Sequence, residues 1–322
     1  MKRRTLAFVA IGLGLALPVS WAQSFPMKPV RIISPFSAGS GPDALTRIVA
    51  DKLSAIWKVA VVVDPRPGAS GFLAAGAAKQ AAPTGHDLFL ADVGHLAINP
   101  SLFKKLPYDP KEDFVPVGGM FRTSFFIMVG ANSPLRTVKD LIAAAATPGK
   151  VTYGSTAIGS PPHLGAAQLA AASGTRMTHV PYKEVSQLNI AVSNGEIDWT
   201  MSTLATAGPL LKAGKVRFIA VADGIRSVSL PNVPTVEESG GPAGVQARSW
   251  VALMAPKGTP AAVVSTLNQS LNDVLRQSEV AERFETVGFV ADPMTPAALA
   301  SLIDSDTVAY AAMVKRTGAT VD

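Results

Sequence analysis

Ser37, Gly39 and Ser40 stand within PFSAGSGPDALTR at residues 35–47, directly after the apolar run 30–34. Ser155, Thr156 and Ser160 stand within YGSTAIGSPPHL at residues 153–164, directly after 150–152. Each segment reads as a strand end, then a loop of small and hydroxyl residues, then proline at a helix start. Such a loop turns backbone N–H groups and a helix N-terminus toward one point, where an anion is favoured. Two such points can hold one small anion from both sides. In the first, Ser40 reads as N-cap, Pro42 fits the first turn, and Asp43 can accept from amides and pair with Arg47 at i,i+4. In the second, Ser160 before Pro161 and Pro162 reads as cap and helix start. Hydroxyls and amides aimed at a carboxylate give charge-assisted bonds of about 1.5–3 kcal/mol each before desolvation. Taken singly, each loop is equally an ordinary strand-to-helix turn.

Two further strand ends would face the same place. One is the segment ADVGH, residues 91–95, and the other offers the neutral donors Ser202 and Thr203. His163 reads as a helix-packing histidine in preference to a ligand contact. Other chemistries are poorly supplied. The first loop has Gly39 and Gly41, but Pro42 and Asp43 follow, and no third glycine completes a dinucleotide fingerprint. Gly68-Ala69-Ser70-Gly71 is not a nucleophile elbow, because Phe72 takes the last glycine's place. The four histidines, at 86, 95, 163 and 179, have no metal-ligand spacing. No cofactor and no metal are expected, and the chain is not read as an enzyme.

Elements must position these loops. Strand-like and helix-like runs alternate over the 322 residues, which predicts parallel sheets covered by helices in two α/β lobes. Strands are predicted at 30–34, 59–63, 87–91 and 125–130, with helices at 44–56 and 71–81 and a helical piece near Pro100. A second unit has helices at 138–146, 163–173, 188–193 and 209–213. Its strands fall at 151–155, 178–181, 196–201 and 216–222. Helices at 260–277, 279–287 and 296–315 close the chain and need the first sheet to cover. The chain therefore crosses between lobes twice, and the apolar runs 117–129 and 248–255 are the candidates. Lobe one is expected over 23–123 plus 246–322, and lobe two over 124–245. Ligands of open α/β sheets bind beyond the carboxyl ends of the strands, here in a cleft between the lobes.

Lys2, Arg3 and Arg4 precede an apolar stretch, 5–17, that is short for a bilayer core of about 30 Å. Pro18 ends it, and Ser20-Trp21-Ala22 suits a signal peptidase, so residues 1–22 read as a leader cleaved after Ala22; an uncleaved anchor is the alternative. Export in a Gram-negative cell to the periplasm is expected, with no membrane insertion of the mature chain. Without the three leader cations, 26 basic and 23 acidic residues remain, dispersed and with no run suited to nucleic acid. Cysteine is absent, so neither a lipid anchor on cysteine nor a disulfide is available.

The ordered segments PFSAGSGPD, DPRPGASG, VGHLAINPSLFKKLPYDP, GSTAIGSPPHL, THVPYKE, NGEIDWTMS, LPNVPTVEESG and SWVALMAPKGTP resemble the Bug-type substrate-binding proteins of tripartite tricarboxylate transporters. The resemblance covers nearly the whole mature chain. It implies a two-lobed periplasmic binding protein of type II, a Venus flytrap with two crossover strands. It also implies a carboxylate ligand and delivery to a permease with one large and one small membrane subunit. Carried over, it points to Phe36, Ser37, Ala38, Gly39 and Ser40 in lobe one, with Val93, Gly94 and His95 close by, and to Ser155, Thr156, Ala157 and Ser160 in lobe two. The chain departs from the family pattern at Ser40, Pro42, Pro65, Ser70 and Phe72. It departs also at Ser202, where members often carry an acid. A monomeric receptor is the expected function. A secreted sensor subunit, or less readily an enzyme, acting on a small organic anion is the alternative.

Overall fold

A computed structural model describes residues 25–319 and 321. The predicted leader and its cleavage position lie outside the described residues. The first half opens with β1 (Val30–Ser34), α1 (Gly41–Trp57), β2 (Val61–Pro65), α2 (Phe72–Lys79), β3 (Asp87–Asp92), α3 (Asn99–Leu102) and β4 (Phe114–Ser124). It continues with β5 (Phe126–Gly130), α4 (Val138–Ala144), β6 (Thr152–Ser155), α5 (Pro161–Ala172), β7 (Thr178–Pro181) and α6 (Val185–Asn194). Next come β8 (Trp199–Ser202), α7 (Leu204–Lys212), β9 (Val216–Val221) and β10 (Arg248–Pro256). The chain ends with α8 (Ala261–Leu275), α9 (Ser278–Thr286), β11 (Val290–Ala291) and α10 (Pro296–Thr317).

Two sheets result. One has the order β11-β4-β10-β3-β1-β2 and the other β7-β6-β8-β5-β9. Strands β1, β2 and β3 pair in parallel, as do β6, β7 and β8. At the crossings the strands run the other way. β5 runs antiparallel to β8 and β9, and β10 antiparallel to β3 and β4. A strand that arrives from the other lobe enters at the cleft side, where the parallel strands end, and so points the opposite way. The two crossings lie side by side. The Phe125 amide donates to Ala247 O across 3.1 Å, the Ala247 amide to Ala222 O across 2.8 Å, and the Ala222 amide to Phe125 O across 2.8 Å.

The period-two rule explains the long apolar strands. Val30, Ile32, Leu88, Leu90, Val251 and Leu253 fall on one face of the six-stranded sheet under α1 and α8. Ile33, Phe89, Ala91, Trp250, Ala252 and Met254 fall on the other, under α2 and α10. Both faces are dry, so both alternate positions must be apolar. α10 belongs to this core through Leu299, Ile303, Tyr310 and Val314, and its Asp306 accepts from the Trp250 indole across 2.7 Å. Lobe two repeats the arrangement around Ile127, Val129, Trp199 and Met201. Leu164 of α5 joins the first lobe's core, so α5 reaches across between the sheets.

Candidate functional site

A cavity of about 380 Å³ opens between the two sheets. Phe36, Pro42, Asp92, Phe121, Thr123, Ser249, Val251 and Phe289 line it from the first sheet and its helices. Ser155, Thr156, Ser160, Pro161, Leu188, Asn189, Met201, Ser202, Thr203 and Thr206 line it from the second. Phe125 lines it between the crossing strands. A side pocket adjoins it, bounded by Asp92, Gly94, His95 and Asn99 on one side and by Ala157, Ile158, Gly159 and Ser160 on the other. The two predicted loops thus border connected space.

The first loop is held from below. Gly39 takes a left-handed φ of +78°, and its amide donates to Asp43 Oδ2 across 2.9 Å. Asp43 in turn pairs with Arg47 at 2.9 Å. Ser40 caps α1, its Oγ accepting from the Asp43 amide at 3.4 Å, and its own amide donates to Ser37 O. The five predicted contact residues of this loop therefore have distinct places. Phe36 lines the cavity, whereas the amides of Gly39 and Ser40 are taken up inside the loop. Ser37 and Ala38 are exposed at the rim, and their amides donate to no acceptor among the described residues.

The second loop leaves more donors open. The amides of Thr156, Ala157 and Ile158 and the Thr156 hydroxyl have no partner among the described residues. Pro161 and Pro162 occupy the first two positions of α5. Ser160 stands at the N-cap by its backbone, but its Oγ donates to Ala157 O across 2.8 Å and caps no helix amide. The cap position is thus Ser160, as its sequence setting suggested, but its hydroxyl is not used: with two prolines following, the amides of the first two helical positions do not exist. Ser155 is fully buried, and its Oγ lies 2.7 Å from His179 Nε2. His163 is buried behind the loop, and the Gly159 amide donates to its Nδ1. Burial, with the nearby His179, pushes the His163 imidazole down to about 4. It is a packing histidine, as its helical setting suggested. Burial also lowers His179.

The end of β3 divides its residues. Val93 is fully buried and faces the core, not the cavity. His95 packs its ring against Gly71 and between Phe36 and Phe89, and its Nδ1 lies 2.5 Å from Asp92 Oδ1. The same Oδ1 accepts from the His95 amide across 3.1 Å. Burial presses the Asp92 carboxyl upward, but the imidazole and the amides of His95 and Gly94 outweigh it and hold it below the usual carboxylate range.

Ser202 and Thr203 line the cavity, yet their hydroxyls are engaged. Ser202 Oγ donates to Asn189 Oδ1 across 3.2 Å, and Thr203 Oγ1 accepts from the Thr206 amide across 3.3 Å as the N-cap of α7. Asn189, Thr206, Thr123, Ser249 and the apolar wall were missed from the sequence. Ser249 lies on a crossing run recognised there, and strand alternation around it was the available signal. Asp92 lies within the strand end 91–95 recognised there, but it was not singled out, because acids at strand ends are common. Among the described residues, no group of three or more metal-ligating side chains comes together. Among the described residues, no lysine or arginine lines the cavity, and Asp92 is the one charged side chain that does.

The profile of the tripartite tricarboxylate transporter family receptor matches residues 45–318. The chain belongs to that receptor family. Protein BugT of Bordetella pertussis is 31% identical over 321 residues, covering 98% of each chain. Among solved structures, R. palustris Rpa4515 with adipate aligns with a TM-score of 0.82 at 29% identity, over 92% of this chain and all of its own. MatC from Rhodopseudomonas palustris with bound malate aligns with a TM-score of 0.76 at 27% identity, over 90% of this chain and all of its own. A solute-binding receptor of the type II fold, not an enzyme, is what the family comprises.

Proposed function

We infer that this chain is a periplasmic receptor that closes its two lobes on a small carboxylate and delivers it to a permease of one large and one small membrane subunit. The observation that carries the reading is the set of unpartnered amides on the two loops that border the cavity: Ser37 and Ala38 at the rim on one, and Thr156, Ala157 and Ile158 on the other. Backbone N–H groups without partners beside a helix N-terminus favour an anion without any cationic side chain. Phe36 and Ser155 shape the cavity at these loops, and Ser160, Ser202 and Thr203 close its floor. His95, Gly94 and Ala157 border the side pocket. Gly39 and Ser40 act through the loop's shape, and Val93 through packing. The neighbours solved with adipate and malate support a carboxylate as the ligand.

Closure acts by population shift. The lobes, taken as residues 23–123 with 246–322 and residues 124–245, move about the paired segments at Phe125 and Ala247. An anion that touches both walls stabilises only the closed state, and its differential affinity sets the shift. The basic and apolar leader supports export, with cleavage after Ala22 and a monomeric mature protein. The test is calorimetry and thermal-shift screening of the mature protein against mono-, di- and tricarboxylates. Binding of at least one is expected. A broad panel without any stabilisation would overturn the reading.

A further inference from the structure

The cavity that would take the carboxylate carries one charge of its own, and it is negative. Asp92 lines both the main cavity and the side pocket, with its side chain 21% exposed and both His95 contacts on Oδ1. Among the described residues, no lysine or arginine shares the lining. Around it the wall is apolar: Phe36, Phe121, Phe125, Met201, Val251 and Phe289. A carboxylate in such surroundings needs a positive partner, because an unpaired buried charge is costly. His95 meets Asp92 through Oδ1 alone, so Oδ2 is left for a donor from the cavity. His95 also holds Asp92 in its ionised form, as the lowered carboxyl indicates.

A dicarboxylate would add two negative charges beside this one. The open amides at residues 37–38 and 156–158 favour an anion, but no cationic side chain among the described lining residues offsets the added charge. A ligand with an ammonium group balances the site. The same side pocket is bounded by Asp92 and by Ala157 and Ile158, so the cation and anion sites are neighbours. Resting on the receptor reading above, we propose that Asp92 is a specificity residue that selects amino-bearing carboxylates, its carboxylate receiving the ligand's ammonium while the second loop's amides hold the ligand's carboxylate. The apolar wall accommodates the remainder of the ligand.

The experiment compares matched probes on the full mature protein by calorimetry: L-phenylalanine against 3-phenylpropanoate, and L-aspartate against succinate, with adipate and malate alongside. In at least one pair the amine-bearing member is expected to bind the wild type more tightly by about 10-fold to 150-fold, the range for one charge-assisted hydrogen bond. In Asp92→Asn the preference should fall to within about 3-fold, with the amine-free partner held as well or better. Circular dichroism checks both Asp92→Asn and the smaller Asp92→Ser. The wild-type comparison is decisive even without a folded variant. Equal or tighter binding of both amine-free members to the wild type overturns the proposal, as does a preference that survives Asp92→Asn. Binding of adipate or malate without any amino carboxylate leaves the receptor reading standing and this proposal refuted. No binding by any of the six probes sinks both.

Discussion

The backbone N–H of Gly159 donates to Nδ1 of His163 across 3.2 Å, tying the second loop to a buried imidazole. An imidazole nitrogen that accepts cannot also carry a proton, so this contact requires the neutral ring. The consequence is a pH dependence of stability. The folded ring titrates at about 4, against about 6.5 for an unfolded histidine. Between these values the unfolded chain binds the proton and the folded chain does not. His163 therefore contributes stability fully present above about pH 6.5 and lost as the pH falls toward 4, about 2 kcal/mol between pH 7.5 and pH 5. Urea unfolding at those two values should register the loss. His163→Gln, which keeps an acceptor for Gly159, should flatten the slope and leave the part due to His179.

Gly71 and His95 support a second prediction. A Cβ on Gly71 would lie 2.0 Å from His95 Nε2, and the residue has a φ of +84°. Gly71→Ala is thus strained twice, by its backbone and by the ring it must displace. A loss of about 1–3 kcal/mol in thermal or urea unfolding is expected. Because His95 holds Asp92, the variant should also change ligand affinity in calorimetry. A native melting curve with native affinity would show that His95 has room to move.

How far these relationships were readable in the sequence depends on the element. The strand at Val30–Ser34 and the one at Thr178–Pro181 match their apolar runs residue for residue. α7 does not. Pro209 reads as a helix start, but it lies inside a helix that begins at Leu204 under the Thr203 cap. Placing the start five residues late hid Thr206, and with it the hydroxyl network that fixes Ser202. β2 is displaced by two residues, because its register is set by pairing Val30 with Val61 and not by its own hydrophobicity. β11 has two residues and exists through its pairing with Phe121 and Arg122. The loops were legible as loops. Which of their amides stay open was not, since that depends on Asp43 reaching back to Gly39 and on the two prolines after Ser160.

Thr156 and Ser155 are neighbours with opposite expected roles. The Thr156 hydroxyl has no partner among the described residues and faces the cavity, whereas Ser155 Oγ sits 2.7 Å from His179. Thr156→Val should weaken carboxylate binding by about 1 kcal/mol, roughly fivefold in Kd, with the fold unchanged. Ser155→Ala should instead lower stability by about 1 kcal/mol, because it removes the partner of a half-buried imidazole nitrogen. Calorimetry and urea titration on each single variant separate the two effects. The opposite pattern would mean that Ser155 turns from His179 to the ligand.

Asp43 extends the same logic to the first loop. It is 1% exposed, accepts from the Gly39 amide and pairs with Arg47 through both oxygens, at 2.9 and 3.1 Å. Arg47 is half exposed, so its pairing adds little by itself. The bond to Gly39 matters more, because it fixes the left-handed turn that leaves the Ser37 and Ala38 amides open. Asp43→Ala removes that anchor and should cost about 1–3 kcal/mol in unfolding experiments. Its effect on carboxylate affinity should exceed that of Arg47→Ala, which leaves the Gly39 bond in place. Equal affinities for the two variants would show that the loop holds its shape without Asp43, and that the open amides at residues 156–158 carry the anion alone.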